Sequence, residues 1–177
     1  MPDRVVTGQL DDLIVALRKL RNGRTLVVGI EGHSEAGKGF LCQALANRLA
    51  AAHIKTDSYV HRDKEADSYV GRLDLPRFNA AVQAAFGKYD FLFIDGICLR
   101  DTVAQSGLRV GAFVYCRRIT EAGFWGNEVL ARAKPNRADP AGAWVDWWST
   151  DYHQREHPLE RADLVYHNSY DDDADLT

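Results

Sequence analysis

No apolar run in this chain of 177 residues approaches the ~20 residues needed to span a bilayer, and no basic, apolar, small-residue leader opens it. The expectation is a cytoplasmic protein with no membrane partner. A large excess of either charge is absent as well: the formal net charge is −3, which supplies no overall attraction to nucleic acid or to anionic membranes. Nucleic acid is therefore not an expected partner. Cysteine is scarce, and Cys42, Cys98 and Cys116 form an odd, scattered set without metal-ligand spacing. That argues against a disulfide framework and a zinc site, suits a reducing compartment, and makes the three thiols buried small apolar residues. The six histidines read as polar or pocket residues. Neither an internal repeat nor a low-complexity linker divides the sequence, and its length suits one α/β domain with a proper core over residues 1–177. Residues 1–22 form a leading helix in this reading, and residues 168–177 an acidic, flexible tail.

What is present is an alternation of helical and strand patterns. Leu10, Leu13, Ile14, Leu17 and Leu20 recur at helical spacing before Asn22-Gly23. A nearly all-apolar strand follows over Thr25–Ile30, as expected where helices cover both sheet faces. Leu41, Leu45 and Leu49 mark a helix ending near Ala52, and a short segment from His53 to Asp57 leads into a polar stretch that reaches Asp74. Leu75, Phe78, Val82 and Phe86 restore helical spacing, and the apolar run from Tyr89 closes in Asp95-Gly96. A strand over Val110–Cys116, a helix from Thr120 to about Ala133, a second helix carrying Trp144, Trp147 and Trp148, and a strand over Asp163–His167 complete the pattern. The tryptophans read as core or as a contact with a second copy, which leaves a homo-oligomer open; a base-stacking platform is the minor alternative. Strands alternating with helices predict a mostly parallel sheet in a three-layer α/β/α sandwich, with ligands at the carboxyl ends of the strands.

The chemistry concentrates where the first core strand turns into a helix. Gly32-His33-Ser34-Glu35-Ala36-Gly37-Lys38 has the spacing of a phosphate-binding P-loop, followed by Gly39 and Phe40. A chain turning sharply around an anionic phosphate needs glycines whose backbone can approach closely, so that N–H groups point inward. Lys38 adds a mobile positive charge, and the helix N-terminus adds its partial charge. The position after the lysine ordinarily carries Ser or Thr, whose hydroxyl coordinates Mg²⁺; neither Gly39 nor Phe40 can do so. Glu35 would repel phosphate unless its side chain points outward. Two readings follow: a kinase that holds its metal through carboxylates and water, or a nucleotide-binding protein that has lost catalysis.

Three segments in order, Gly32–Lys38, Thr56-Asp57-Ser58-Tyr59 and Ile94-Asp95-Gly96-Ile97, resemble the uridine kinase and phosphoribulokinase group of P-loop kinases. The late run from Tyr152 through Pro158 to Ala162-Asp163 is similar to that group's late segment, so the resemblance spans most of the chain. It implies a P-loop NTPase fold, ATP and Mg²⁺ as cofactors, and γ-phosphoryl transfer to a hydroxyl of a nucleoside or sugar-like metabolite. Position by position, it makes Asp57 the acceptor of the substrate's hydroxyl proton and Asp95 the metal-site carboxylate. A strand-end cap and a turn residue are the plain alternatives. Tyr59, His61, Arg62 and Tyr69 fall where the group shapes its acceptor pocket. Asp74 matches either a substrate-binding acidic turn or solvated surface charge. The arginine-rich lid is represented by Arg117-Arg118 alone, with Arg132 or Arg137 as replacements or as ordinary surface residues. A partner-coupled NTP hydrolase is the remaining alternative.

Overall fold

A computed structural model of the chain describes residues 5–61, 65–119 and 143–169. The helix expected over 120–133, Arg62, Arg132 and Arg137 lie outside them. Six strands of the described residues form one sheet: β1 (Val5–Thr7), β2 (Leu26–Glu31), β3 (Ala52–Lys55), β4 (Phe91–Asp95), β5 (Ala112–Ile119) and β6 (Leu164–Ser169). The order is β1-β6-β5-β2-β4-β3, and every pairing is parallel. Among the described residues the helices are α1 (Leu10–Leu20), α2 (Lys38–Leu49), α3 (Leu75–Ala85), α4 (Leu99–Ser106) and α5 (Ala143–Glu156), with short 3₁₀ turns at Thr56–Tyr59 and Val70–Arg72. Among the described residues no helix is long and apolar enough to cross a membrane.

The two faces of the sheet follow from alternation along the strands. Phe91 and Phe93 of β4 pack with Val28 and Ile30 of β2 against Leu13 and Leu17 of α1 and Leu41 and Leu45 of α2. Leu92 and Ile94 turn to the opposite face, where Phe78 and Val82 of α3 and Leu99 of α4 cover them. Each residue of β2 and β4 is buried, and both strands read as apolar runs closed by an acid, Glu31 and Asp95. A third cluster joins Tyr69, Val70, Leu73, Ile97 and Cys98 to Trp148 and Tyr152 of α5. Trp148 is therefore core, as the first of the two tryptophan readings has it, with Arg72 over its ring at 5.4 Å. The three cysteines are buried and free.

Several boundaries differ from the sequence expectation. The segment before α1 carries β1, which pairs with β6 at the sheet edge; its three residues, with Val5 and Val6 exposed, are too few to leave a periodic signal. Helix α2 stops at Leu49, three residues before the expected Ala52, because Ala50 turns left-handed at φ 47°. Strand β5 runs on to Ile119 because β6 pairs with it through Ser169. Residues 168 and 169 thus belong to a strand and not to the acidic tail.

Candidate functional site

The β2–α2 loop is built by packing as much as by glycine freedom. Gly32 has φ +146°, and a Cβ there would lie 2.3 Å from the Cys116 carbonyl oxygen of β5. Gly37, the residue before α2, has φ +86°, and its Cβ would meet Asn168 Nδ2 at 2.1 Å. Between them, Asn168 Nδ2 donates to the Ala36 carbonyl at 3.1 Å, and Cys116 Sγ donates to the same oxygen at 3.1 Å. Two strands, β5 and β6, therefore hold one loop. His33 stacks on His153 of α5 with ring centroids 3.6 Å apart. Burial keeps both imidazoles neutral: desolvation lowers His33 to about 3, with the Lys38 charge acting in the same direction, and lowers His153 to about 4. Lys38 Nζ donates to the His33 carbonyl at 2.6 Å, and burial lowers its pKa. Glu35 is exposed at φ 61°, and Phe40 is 61% exposed.

Beside the loop opens a cavity of about 720 Å³ that Lys38, Gly39, Lys55, Asp57, Tyr69 and Asp95 help to line. The parallel sheet delivers them to one edge: Lys38 opens α2 after β2, Lys55 ends β3, Asp57 sits in the turn beyond it, and Asp95 ends β4. Tyr69 Oη donates to Asp57 Oδ1 at 2.7 Å and lies 2.8 Å from Thr56 Oγ1. Burial, then the charge of Asp57, pushes the Tyr69 phenol up, so it remains a proton donor to that carboxylate. Thr56 is itself fixed against the next strand end, since a Cβ on Gly96 would lie 2.0 Å from its Oγ1.

Asp95 is 8% exposed and accepts from His53 Nε2 at 2.7 Å. Cys42, His53 and Asp95 each offer a donor atom within 4.8 Å of the others, and burial pushes the Cys42 thiol up. Magnesium prefers hard oxygens, so thiol and imidazole contribute little to it. Asp95 Oδ2, however, lies 3.5 Å from the position a Cβ on Gly39 would take, which is where a coordinating hydroxyl would branch. One carboxylate with water and phosphate oxygens is an ordinary magnesium arrangement. The residues fit the ion, with a reduced protein share.

The other expected site residues are placed as follows. Tyr69 is buried, lining the cavity on one side and packed in the third cluster on the other. Tyr59 packs edge-on against Phe78 at 5.6 Å, under the Arg77 guanidinium at 5.3 Å. His61 is exposed, 3.8 Å from Asp74 Oδ2. Asp74 caps α3, accepting from the Arg77 N–H at 3.1 Å, which is work enough to explain that residue type. Arg117 and Arg118 are strand residues of β5 in register with His167 and Asn168, and not part of a loop. Glu31, His53, Lys55 and Asn168 join the site without a motif in the sequence to mark them. Glu31, the last residue of β2, is 1% exposed with Arg100 Nε 3.0 Å from its Oε1. Desolvation raises it to about 7 despite the lowering influence of Arg100 and Tyr152.

Parallel topology, a glycine loop between a central strand and its helix, and an acid at the end of the adjacent strand make a P-loop α/β fold of the kind that P-loop kinases have. Within it the fold is uridine-kinase-like. The structure is similar to that of a possible uridine kinase from Bacillus stearothermophilus, with TM-score 0.57 and 16% sequence identity over 89% of this chain and 96% of that one. It is also similar to thymidylate kinase from Candida albicans, with TM-score 0.46 and 11% identity over 82% and 84% of the respective chains. No family model matches the sequence, and no curated protein matches it.

Proposed function

We propose that this chain is an ATP-dependent small-molecule kinase of the cytoplasm, transferring the γ-phosphoryl group to a hydroxyl of a nucleoside or sugar-like metabolite. The observation that carries the reading is that Lys38, Asp57 and Asp95, from three separate segments, border one cavity beside the loop. Phosphoryl transfer needs little covalent help from the protein; it needs positioning and charge stabilisation. The loop's N–H groups and Lys38 hold the phosphates. Asp57, exposed and fixed by the Tyr69 hydroxyl, orients the acceptor's hydroxyl and takes its proton. Magnesium, when bound beside Asp95, offsets charge on the transferring group. The likeness of fold to the Bacillus stearothermophilus structure supports this class of chemistry; the acceptor is set by experiment.

The test is a panel of nucleosides and sugars incubated with ATP and Mg²⁺, with phosphorylated product read by mass spectrometry. General-base assistance contributes about 10²–10⁴-fold, so Asp57→Asn lowers product formation by that range and leaves ATP affinity nearly intact. Unchanged turnover in Asp57→Asn sinks the assignment of the base. One observation favours a second reading, a nucleotide-binding protein without transfer: Gly39 removes the metal-holding hydroxyl. ATP binding without any product across the panel selects it.

A further inference from the structure

The substitution at Gly39 leaves a gap with a definite position. A Cβ built there lies 3.5 Å from Asp95 Oδ2 on one side and 3.5 Å from Lys55 Nζ on the other, with Lys55 Cε at 3.6 Å. The place where a coordinating hydroxyl would branch from α2 is thus flanked by an ammonium group. Lys55 is the last residue of β3 and the register partner of Asp95 in β4, so the sheet itself sets the two side by side. It lines the same cavity as Ser34, Gly37 and Lys38 of the phosphate loop. Its side chain is exposed and has no ion pair or hydrogen bond among the described residues, whereas Lys38 is buried and bonded to the His33 carbonyl. The carboxylates lining the cavity include Asp57, already engaged by Tyr69, and Asp95, already engaged by His53.

We propose that Lys55 is a second phosphate-binding lysine, and that its ammonium supplies beside the outer phosphates the positive charge that a hydroxyl-anchored divalent cation would otherwise bring. A lysine acts as a point charge toward phosphate and needs no fixed approach angle, so a flexible stem from a strand end serves. Loss of the hydroxyl at residue 39 and gain of a cation at residue 55 are then two halves of one exchange. The nucleotide binds without a divalent cation, and the metal's remaining part is in the transfer step. This rests on the P-loop reading proposed above and extends it to how the phosphate charge is met.

The test is calorimetric titration of ATP into wild type, Lys55→Met, Lys55→Arg and Gly39→Ser/Lys55→Met, each in EDTA and in excess Mg²⁺. Lys55→Met keeps the aliphatic stem of an exposed side chain that has no ion pair or hydrogen bond among the described residues, so the fold is retained; far-UV circular dichroism checks it. Wild type binds ATP with affinity differing by less than about threefold between the two buffers. Lys55→Met loses about tenfold to a hundredfold in EDTA, the range for a contact to a charged group, and less in Mg²⁺. Lys55→Arg retains binding in EDTA. The double variant recovers a dependence on Mg²⁺ of about tenfold or more, because the hydroxyl again anchors the ion. Wild-type binding in EDTA that Lys55→Met leaves unchanged overturns the role of Lys55 alone. Absence of ATP binding by wild type in both buffers overturns the P-loop reading and this proposal with it.

Discussion

Replacing Glu31 with Gln should make the protein more stable near neutral pH, and less so in acid. Glu31 is 1% exposed at the end of β2, and desolvation raises its pKa from 4.5 to about 7. A carboxyl raised on folding binds more protons in the native state than in the unfolded one. Its stabilising contribution is therefore fully present below about pH 4.5 and is lost as pH rises toward 7. At about 1.4 kcal/mol per pH unit the whole window amounts to about 3 kcal/mol. The amide keeps the shape of the neutral carboxyl and an acceptor for Arg100, whose guanidinium also lies 4.0 Å over the Phe113 ring and donates to the Arg161 carbonyl at 3.1 Å. Urea unfolding of wild type and Glu31→Gln is to be followed by tryptophan fluorescence from pH 4.5 to 7.5. Buried neutral His33 and His153 destabilise both proteins as pH falls below 6.5, so the difference between the two curves isolates Glu31. That difference should be near zero at pH 4.5 and reach about 3 kcal/mol in favour of the glutamine at pH 7.5. A variant less stable than wild type at pH 7.5 would refute the reasoning, because it would show that an ionised pair with Arg100 outweighs desolvation.

Three further outcomes can be measured directly. Lys38→Ala should weaken ATP binding about tenfold to a hundredfold by calorimetry, and equal affinity would remove the nucleotide from this loop. Gly37→Ala should destabilise the fold by about 2–3 kcal/mol in a thermal melt, since alanine at φ +86° is strained and its Cβ displaces Asn168 from the Ala36 carbonyl; an unshifted melting temperature would mean that the loop yields freely. Tyr69→Phe should lower turnover on an identified acceptor about fivefold to tenfold at unchanged ATP affinity, because Asp57 loses the bond that holds it. A variant with wild-type turnover shows that Asp57 is positioned by other means.

The parts of this molecule legible in the sequence are those where one local pattern has one physical explanation. Strand β4 announces itself because both of its faces are covered, which forces five consecutive buried residues from Phe91 to Asp95. The loop announces itself because only glycine survives where a Cβ would strike Cys116 or Asn168. What stayed hidden depends on register. His53 reaches Asp95 across 42 positions because β3 pairs with β4, and nothing around His53 distinguishes it from a surface histidine. Asn168 braces the loop across 132 positions, and the aspartates that follow it made its segment look like a tail. Lys55 is the sharpest case. The sequence shows a missing hydroxyl at Gly39 and, sixteen residues later, a lysine of no evident purpose at the end of a short strand. Only the pairing of β3 with β4 brings that lysine's Nζ within 3.5 Å of the position the missing side chain would start from. A departure from a motif is therefore incomplete evidence of lost function until the neighbours of the altered position in space are known.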